Sequence, residues 1–379
     1  LDGAEPRLVT ESQAQVEFSQ GHLMAVRDQV LLATPFDPGT LEVTGSAVPV
    51  VEDLMLVTMG AVLGAYSTTP HGTLVFQRGV NTQERKLEWI DLETGTRTDL
   101  PTRGQVFYPK ISPDGTTAAV EVYGESREDV DIWLVELDTG RETRFTFDDD
   151  AEEATPVWSP DGTQIYYVSR TGEESRVLRR ATDGTVEADE LWRDESFVRV
   201  TDVTRDGTSL LLAREDRLGN AADVIALALD GSGQTRDLVV GEARATGAVT
   251  SPDGRWIAYY GDSVSFFDVF VMAADGGPRK WQVTTTGGTY PLWSPDGTRL
   301  YLSDFDGNLQ VVEVDGAGSS FRIGDSRKLT LVDPPDRWGN AYDVHPDGGR
   351  LLHATAIDTG DDRAALIEVV TDWRRALVR

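Results

Sequence analysis

Apolar and polar side chains alternate along most of this chain, and short turn phrases break the alternation at regular intervals. Tyr290 and Leu292 precede one such phrase, Ser294-Pro295-Asp296-Gly297, and Leu300 and Leu302 follow it. A spacing of two belongs to a strand whose side chains point to opposite faces. Serine at the first turn position, proline with its preset φ at the second and aspartate at the third suit a type I turn. Gly297 can then take the left-handed conformation that closes a three-residue hairpin loop with a bulge. The stretch predicts strand, turn, strand. One such hairpin is marginal in water, so its repetition matters more than its presence.

The phrase recurs as Ser112-Pro-Asp-Gly115, Ser159-Pro-Asp-Gly162 and Ser251-Pro-Asp-Gly254, with weaker copies ending at Gly207 and Gly348. Two further copies, ending at Gly21 and Gly72, have lost the aspartate. The steps between the eight glycines are 51, 43, 47, 45, 47, 43 and 51 residues. A period near 45 with strands on both sides of each marker is the signature of propeller blades, and the period of two between markers excludes a helical solenoid. The expected fold is all-β: an eight-bladed propeller of four-stranded antiparallel blades, one domain over residues 1–379. Arg7–Thr10 is an orphan strand at the front, and the last blade lacks an outer strand. We therefore expect Arg7–Thr10 to complete that blade beside Ala365–Val370, with a short helical tail over 372–379 capped by Asp372.

Composition narrows the function classes. The net charge of −29 argues against nucleic acid, which needs basic patches. Of the 35 basic residues only Lys86, Lys110, Lys280 and Lys328 are lysines. No cysteine is present, which removes disulfides, thiolate metal sites and cysteine nucleophiles. The longest apolar runs, Val224–Leu229 and Val269–Ala274, are far too short to span a membrane. The chain starts at Leu1, so a processed or excised piece is expected, with any targeting signal outside it.

Whole phrases carry a resemblance. The turn hairpins followed by an aspartate-ended strand, Ile132-Trp-Leu-Val-Glu-Leu-Asp138, resemble TolB-type, WD-repeat-like β-propeller repeats. Gly21–Asp37, Leu41–Pro49, Arg144-Phe-Thr-Phe147, Gly277–Val283 and Val370-Thr-Asp-Trp373 are similar to a propeller found behind membrane-anchored bacterial serine/threonine kinases. That resemblance spans essentially the whole chain and implies a sensor or scaffold. The kinase itself is missing, since neither a glycine-rich G-x-G-x-x-G loop nor an H-R-D phrase occurs.

Catalytic motifs are missing too. There is no G-x-S-x-G elbow, H-E-x-x-H helix, P-loop or EF-hand loop. His22, His71, His345 and His353 are scattered without metal-ligand spacing and read as structural. Asp148-Asp-Asp-Ala-Glu-Glu153 reads as a solvated loop, and Asp306-Gly307 as a turn. In a propeller, the connections entering the inner strands converge on the channel, on the face away from the repeated turns. They supply Arg103, Tyr108, Glu153, Phe197, Arg199, Arg244, Tyr290 and Trp338 as candidate binding residues. Arginines and aromatics together can hold a carboxylate, a sugar or a peptide. The expected function is a noncatalytic binding or scaffold propeller, extracytoplasmic and monomeric, without metal or cofactor. The alternatives are a lyase- or lactonase-like propeller enzyme and the accessory propeller of a peptidase lacking its hydrolase domain.

The charge yields a prediction. At −29, self-repulsion acts over a Debye length of roughly 30 Å in 0.01 M salt and only about 3 Å in 1 M. Exposed ion pairs weaken with salt as well, but each contributes little. The melting temperature is expected to rise between these concentrations in sodium chloride; a flat or falling curve would show that repulsion does not limit stability.

Overall fold

The computed structural model describes residues 9–10, 12–27, 30–52, 54–58, 62–78, 85–102, 105–124, 129–216, 222–241, 244–263, 266–277, 279–318, 320–332, 340–357 and 367–378. Apart from a terminal 3-10 helix, Trp373–Val378, the described elements are strands. Each of the eight marker glycines has a positive φ and sits in the hairpin between two strands of its own sheet. We number these sheets 1 to 8 in marker order.

The marker turns hold themselves together through one aspartate oxygen. In Ser159–Gln164, Asp161 Oδ1 accepts the Ser159 hydroxyl at 2.6 Å, the Thr163 N–H at 3.0 Å and the Thr163 hydroxyl at 2.8 Å. Ser159 Oγ in turn accepts the Gln164 N–H at 2.9 Å, and Gly162 N donates to Ser159 O at 2.9 Å. The same set recurs around Asp114, Asp206 and Asp296. Each turn fixes its hairpin register, and register decides which apolar set faces which neighbour.

The eight sheets divide between two compact units, Leu1–Gln83 with Asp358–Arg379, and Glu84–Ile357. The second unit holds sheets 3 to 8, all four-stranded. Their first strands are Val106–Ile111, Glu152–Trp158, Phe197–Val203, Ala245–Thr250, Thr289–Trp293 and Tyr342–Val344. These touch in sequence, and the strand of sheet 8 touches that of sheet 3, so six sheets close a circle. The turns repeat the pattern: Pro113 lies over Gly162, Pro160 over Gly207, Pro252 over Gly297 and Pro295 over Gly348. His345 completes it, its Nε2 lying 3.2 Å from Gly115 O.

Closure corrects the expectation for the N-terminal strand. Sheet 8 is completed by Arg85–Asp91 pairing with Arg350–Ala356, and by Arg97–Asp99 beyond it. Ile367–Val370, the expected partner of Arg7–Thr10, pairs instead with Leu74–Gln77 in sheet 2. Val9 and Thr10 form no strand, and Arg7, Leu8 and Ala365 lie outside the described residues. Burial explains the choice. Leu87 and Trp89 pack into one core with Leu352 and Ala354, while Ile90 packs into another with Leu351 and Tyr342. A strand apolar on both faces belongs inside a stack of sheets. Glu88 also meets the fully buried His353 at 2.9 Å. Ile367 and Val369 are 69% and 60% exposed and suit an outer position.

The first unit holds sheet 1, of five strands, sheet 2, of three, and a two-stranded ribbon over Leu56–Thr58 and Val62–Gly64. Trp373 anchors the tail there: it is fully buried, packs against His22 and donates from Nε1 to Ser19 Oγ at 3.1 Å.

The closing pair invites a deletion test. A fragment of residues 84–357 is expected to melt in one cooperative transition. A fragment of residues 100–357, without the two closing strands, is expected to lose roughly 5 kcal/mol or more through Leu87, Trp89, Ile90 and the ladder bonds. Equal melting temperatures for the two fragments would contradict that closure.

Candidate functional site

Five of the six first strands in the circle carry a bulge shortly before the marker turn. Pairing shifts between Phe107 and Lys110, Ala154 and Val157, Val200 and Asp202, Thr246 and Val249, and Thr289 and Leu292. A bulge inserts an unpaired residue and re-aims its side chain. Here Tyr108, Thr155, Gly247 and Tyr290 adopt φ of 48°, 56°, 62° and 51°. Glycine takes that conformation freely, whereas tyrosine and β-branched threonine do so at a cost.

All four face one cavity of about 70 Å³ inside the circle. Arg199, Tyr260, Glu121, Lys110, Asn340, Thr201 and Thr246 complete its polar lining. Arg199 is almost fully buried, with Nη2 3.3 Å from Glu215 Oε1. Burial disfavours its charge, but the Glu215 carboxylate and the phenols of Tyr290, Tyr260 and Tyr108 more than offset this and hold its pKa above the usual arginine range. Asn340 is buried; its Oδ1 accepts the Tyr342 N–H at 3.4 Å, and among the described residues its Nδ2 has no hydrogen-bond partner.

Glu121 joins sheet 3 to sheet 4. Its Oε1 accepts the Thr155 N–H at 2.7 Å and its Oε2 the Tyr123 hydroxyl at 3.2 Å. Burial pushes its pKa up to about 8, against the pull of the Thr155 bond, and Glu152 adds to the rise. Glu152 itself pairs with Arg170 at 2.7 Å. One step nearer the marker turns, Asp202 accepts the Thr250 N–H at 2.6 Å and Asp343 the Ile111 N–H at 2.7 Å. Both carboxyls are raised by burial, and both feel the Lys110 ammonium.

Of the residues expected from sequence, Tyr108, Arg199 and Tyr290 stand in the cavity wall. Phe197 lies beside them, its ring 3.5 Å from the Arg170 guanidinium and 5.0 Å from that of Arg199. Two others go elsewhere. Glu153 is buried and accepts the Asp148 N–H at 3.3 Å, its pKa raised by burial. Arg244 pairs with Asp262 at 3.0 Å and lies over Phe267. Arg103 and Trp338 are outside the described residues. Sequence reasoning passed over Lys110, Glu121, Thr155, Tyr260 and Asn340. A signal for two of these existed. Six residues after the marker glycine the sheets carry Val168, Ala213, Ser303 and Ala354, so Glu121 and Tyr260 stand out at that position.

Among the described residues no three histidine, aspartate or glutamate side chains gather as a metal would require.

Glu121 sets a pH dependence. Its folded pKa lies above the ordinary 4.5, so the stability it confers is complete below that value and is lost as pH rises toward about 8. The limiting slope is about 1.4 kcal/mol per pH unit. Glu121→Gln keeps an acceptor for Thr155 N and is expected to flatten the fall in melting temperature between pH 5 and 8, leaving the share due to Asp202, Asp343 and Glu153. Identical slopes in both proteins would show that Glu121 ionises freely.

No protein-family model matches the sequence, and no protein of curated function matches it. Solved structures do. A protein of Agrobacterium tumefaciens assigned as TolB superposes with a TM-score of 0.59 at 18% identity, over 73% of this chain and 99% of that one. TolB from Acinetobacter baumannii gives 0.49 at 15% identity, over 73% of this chain and 65% of its own. An oligogalacturonate lyase from Vibrio parahaemolyticus gives 0.49 at 14% identity, over 94% and 97%. At such identities the likeness speaks for fold and not for chemistry. The chain has a TolB-like β-propeller fold.

Proposed function

We propose that the chain is a noncatalytic binding module, an extracytoplasmic sensor or interaction propeller, whose ligand enters the channel of the circle formed by residues 84–357. The observation carrying this reading is the gathering of Tyr108, Thr155 and Tyr290, three non-glycine residues with positive φ, in one cavity wall. Each costs on the order of 1–2 kcal/mol of backbone strain. Such strain persists where the surroundings over-determine it, and ligand clamps are among those places.

The wall chemistry points the same way. Arg199 is paired, and Glu121 is engaged by Thr155 and Tyr123, so neither stands as a general base or nucleophile beside a reactive partner. Three phenols around a guanidinium bind and orient.

The test is twofold. Purified protein is expected to show no β-elimination of uronides and no lactone hydrolysis, while a small-molecule thermal-shift screen finds compounds that stabilise the wild type and not Tyr290→Ala. A turnover that survives purification and disappears in Tyr290→Ala would overturn the noncatalytic reading.

A further inference from the structure

A groove of about 340 Å³ opens at the marker-turn end of the circle, between sheets 6 and 7, and shares no lining residue with the channel cavity. Its sides are the marker turns of both sheets and the third turn of sheet 7, Asp315–Ala317. Pro252, Trp256, Trp293 and Val314 make its lining apolar. Trp256 stands two residues after its marker glycine, where the other sheets of the circle carry Thr117, Gln164, Ser209, Arg299 and Arg350. Its ring packs against Trp281 and Phe321 at centroid distances of 5.3 and 5.2 Å, and its Nε1 donates to Gly316 O at 3.1 Å. Glycine at 316 permits that approach, since a Cβ there would lie 2.5 Å from the indole nitrogen.

The charged lining is all of one sign: Asp253, Asp296 and Asp315. Asp253 pairs with Arg255 at 2.8 Å, and that guanidinium goes on to the carbonyls of Gly316, Ala317 and Gly318. Asp296 accepts its three turn bonds on Oδ1 alone, and among the described residues nothing donates to its Oδ2. Arg299, the cation next to it in the turn, is engaged by Glu313 at 3.1 Å. Asp315 accepts the Ala317 N–H on Oδ1 at 3.0 Å, while its Oδ2 meets only the exposed Arg322 at 3.9 Å. We propose that this groove seats a lysine side chain of a basic partner protein, its methylene stem along Pro252, Trp256 and Val314 and its ammonium between Asp296 Oδ2 and Asp315 Oδ2. A lysine buries its stem against apolar surface and keeps its charged head among acceptors. Charge complementarity selects the partner. No basic residue lines the groove, the first and third turns that carry the aspartates share this end of the circle, and the chain as a whole stands at −29. The site is additional to the channel and does not depend on what the channel binds.

A hexalysine peptide is the probe, titrated into the full chain with its tryptophans labelled for NMR, in about 0.15 M salt to screen diffuse attraction. The Trp256 indole N–H resonance, assigned with Trp256→Phe, is expected to shift saturably with hexalysine and to stay in place with hexaglutamate. Asp296→Asn combined with Asp315→Asn keeps both Oδ1 acceptors and removes both charges. It is expected to weaken hexalysine roughly fivefold or more. Asp206→Asn combined with Asp230→Asn removes the same two charges from the matching turns of sheet 5 and is expected to change the affinity less than about twofold. Should the first pair of substitutions prevent folding, Ala317→Arg, at an exposed position, sets a guanidinium in the groove and must weaken binding as well. Equal losses in the two double variants would mean attraction to an acidic surface at large and would overturn the site. So would a Trp256 resonance that hexalysine leaves unmoved, or undiminished binding in Ala317→Arg.

Discussion

One aspartate oxygen in each marker turn carries the local order of the circle. Oδ1 of Asp114, Asp161, Asp206 or Asp296 accepts from a hydroxyl on one side of the turn and from a backbone N–H and a hydroxyl on the other. That fixes the hairpin, which fixes the register, which sends alternate side chains to alternate neighbours. The proline of one turn then rests on the glycine of the next, where any side chain would be strained by the positive φ as well. At the one turn of the circle headed by neither serine nor threonine, His345 takes over: its Nδ1 accepts the Asp347 N–H at 3.2 Å and its Nε2 reaches Gly115 O.

Much of the acidity follows from this turn chemistry. In a four-stranded antiparallel sheet the first and third turns lie at the same end. The first turns of the circle present Asp114, Asp161, Asp206, Asp253, Asp296 and Asp347, and the third turns Asp91, Asp138, Asp183, Asp230, Asp275 and Asp315. The serine or threonine hydroxyl at the head of the turn holds the pKa of Asp114, Asp161, Asp206 and Asp296 below the usual range. Their stabilising share is present above the ordinary value near 3.8 and vanishes as pH falls through the lowered one. Glu121, Asp202 and Asp343 titrate with the opposite sign. Turns and channel thus pull the pH of greatest stability from opposite sides.

Sheet count, turn positions and the inner strands were legible in the sequence because each depends on contacts within some ten residues of a marker. Choice of partner was not. Arg85–Asp91 and Ile367–Val370 both read as alternating third strands. Only the two-sided burial of Leu87, Trp89 and Ile90, and the meeting of Glu88 with His353, assign the first to sheet 8. Those contacts join residues more than 250 positions apart, and no local pattern encodes them. The site divides on the same line. Tyr108, Arg199 and Tyr290 precede markers and could be found by counting, whereas Asn340 and Lys110 matter through what lies across the channel.

The bulges explain why counting succeeded at all. A regular first strand would send alternate residues to each side and leave small or apolar groups along the channel. An inserted residue before the turn breaks that alternation, so Tyr108 and Tyr290 face inward beside Thr155 and Gly247. The cost is three strained non-glycine residues. A scaffold needing only closure could place glycine at all of these positions, as sheet 6 does with Gly247, and avoid it. Here the polar and aromatic side chains are retained, and three of the six described non-glycine residues with positive φ line a single cavity.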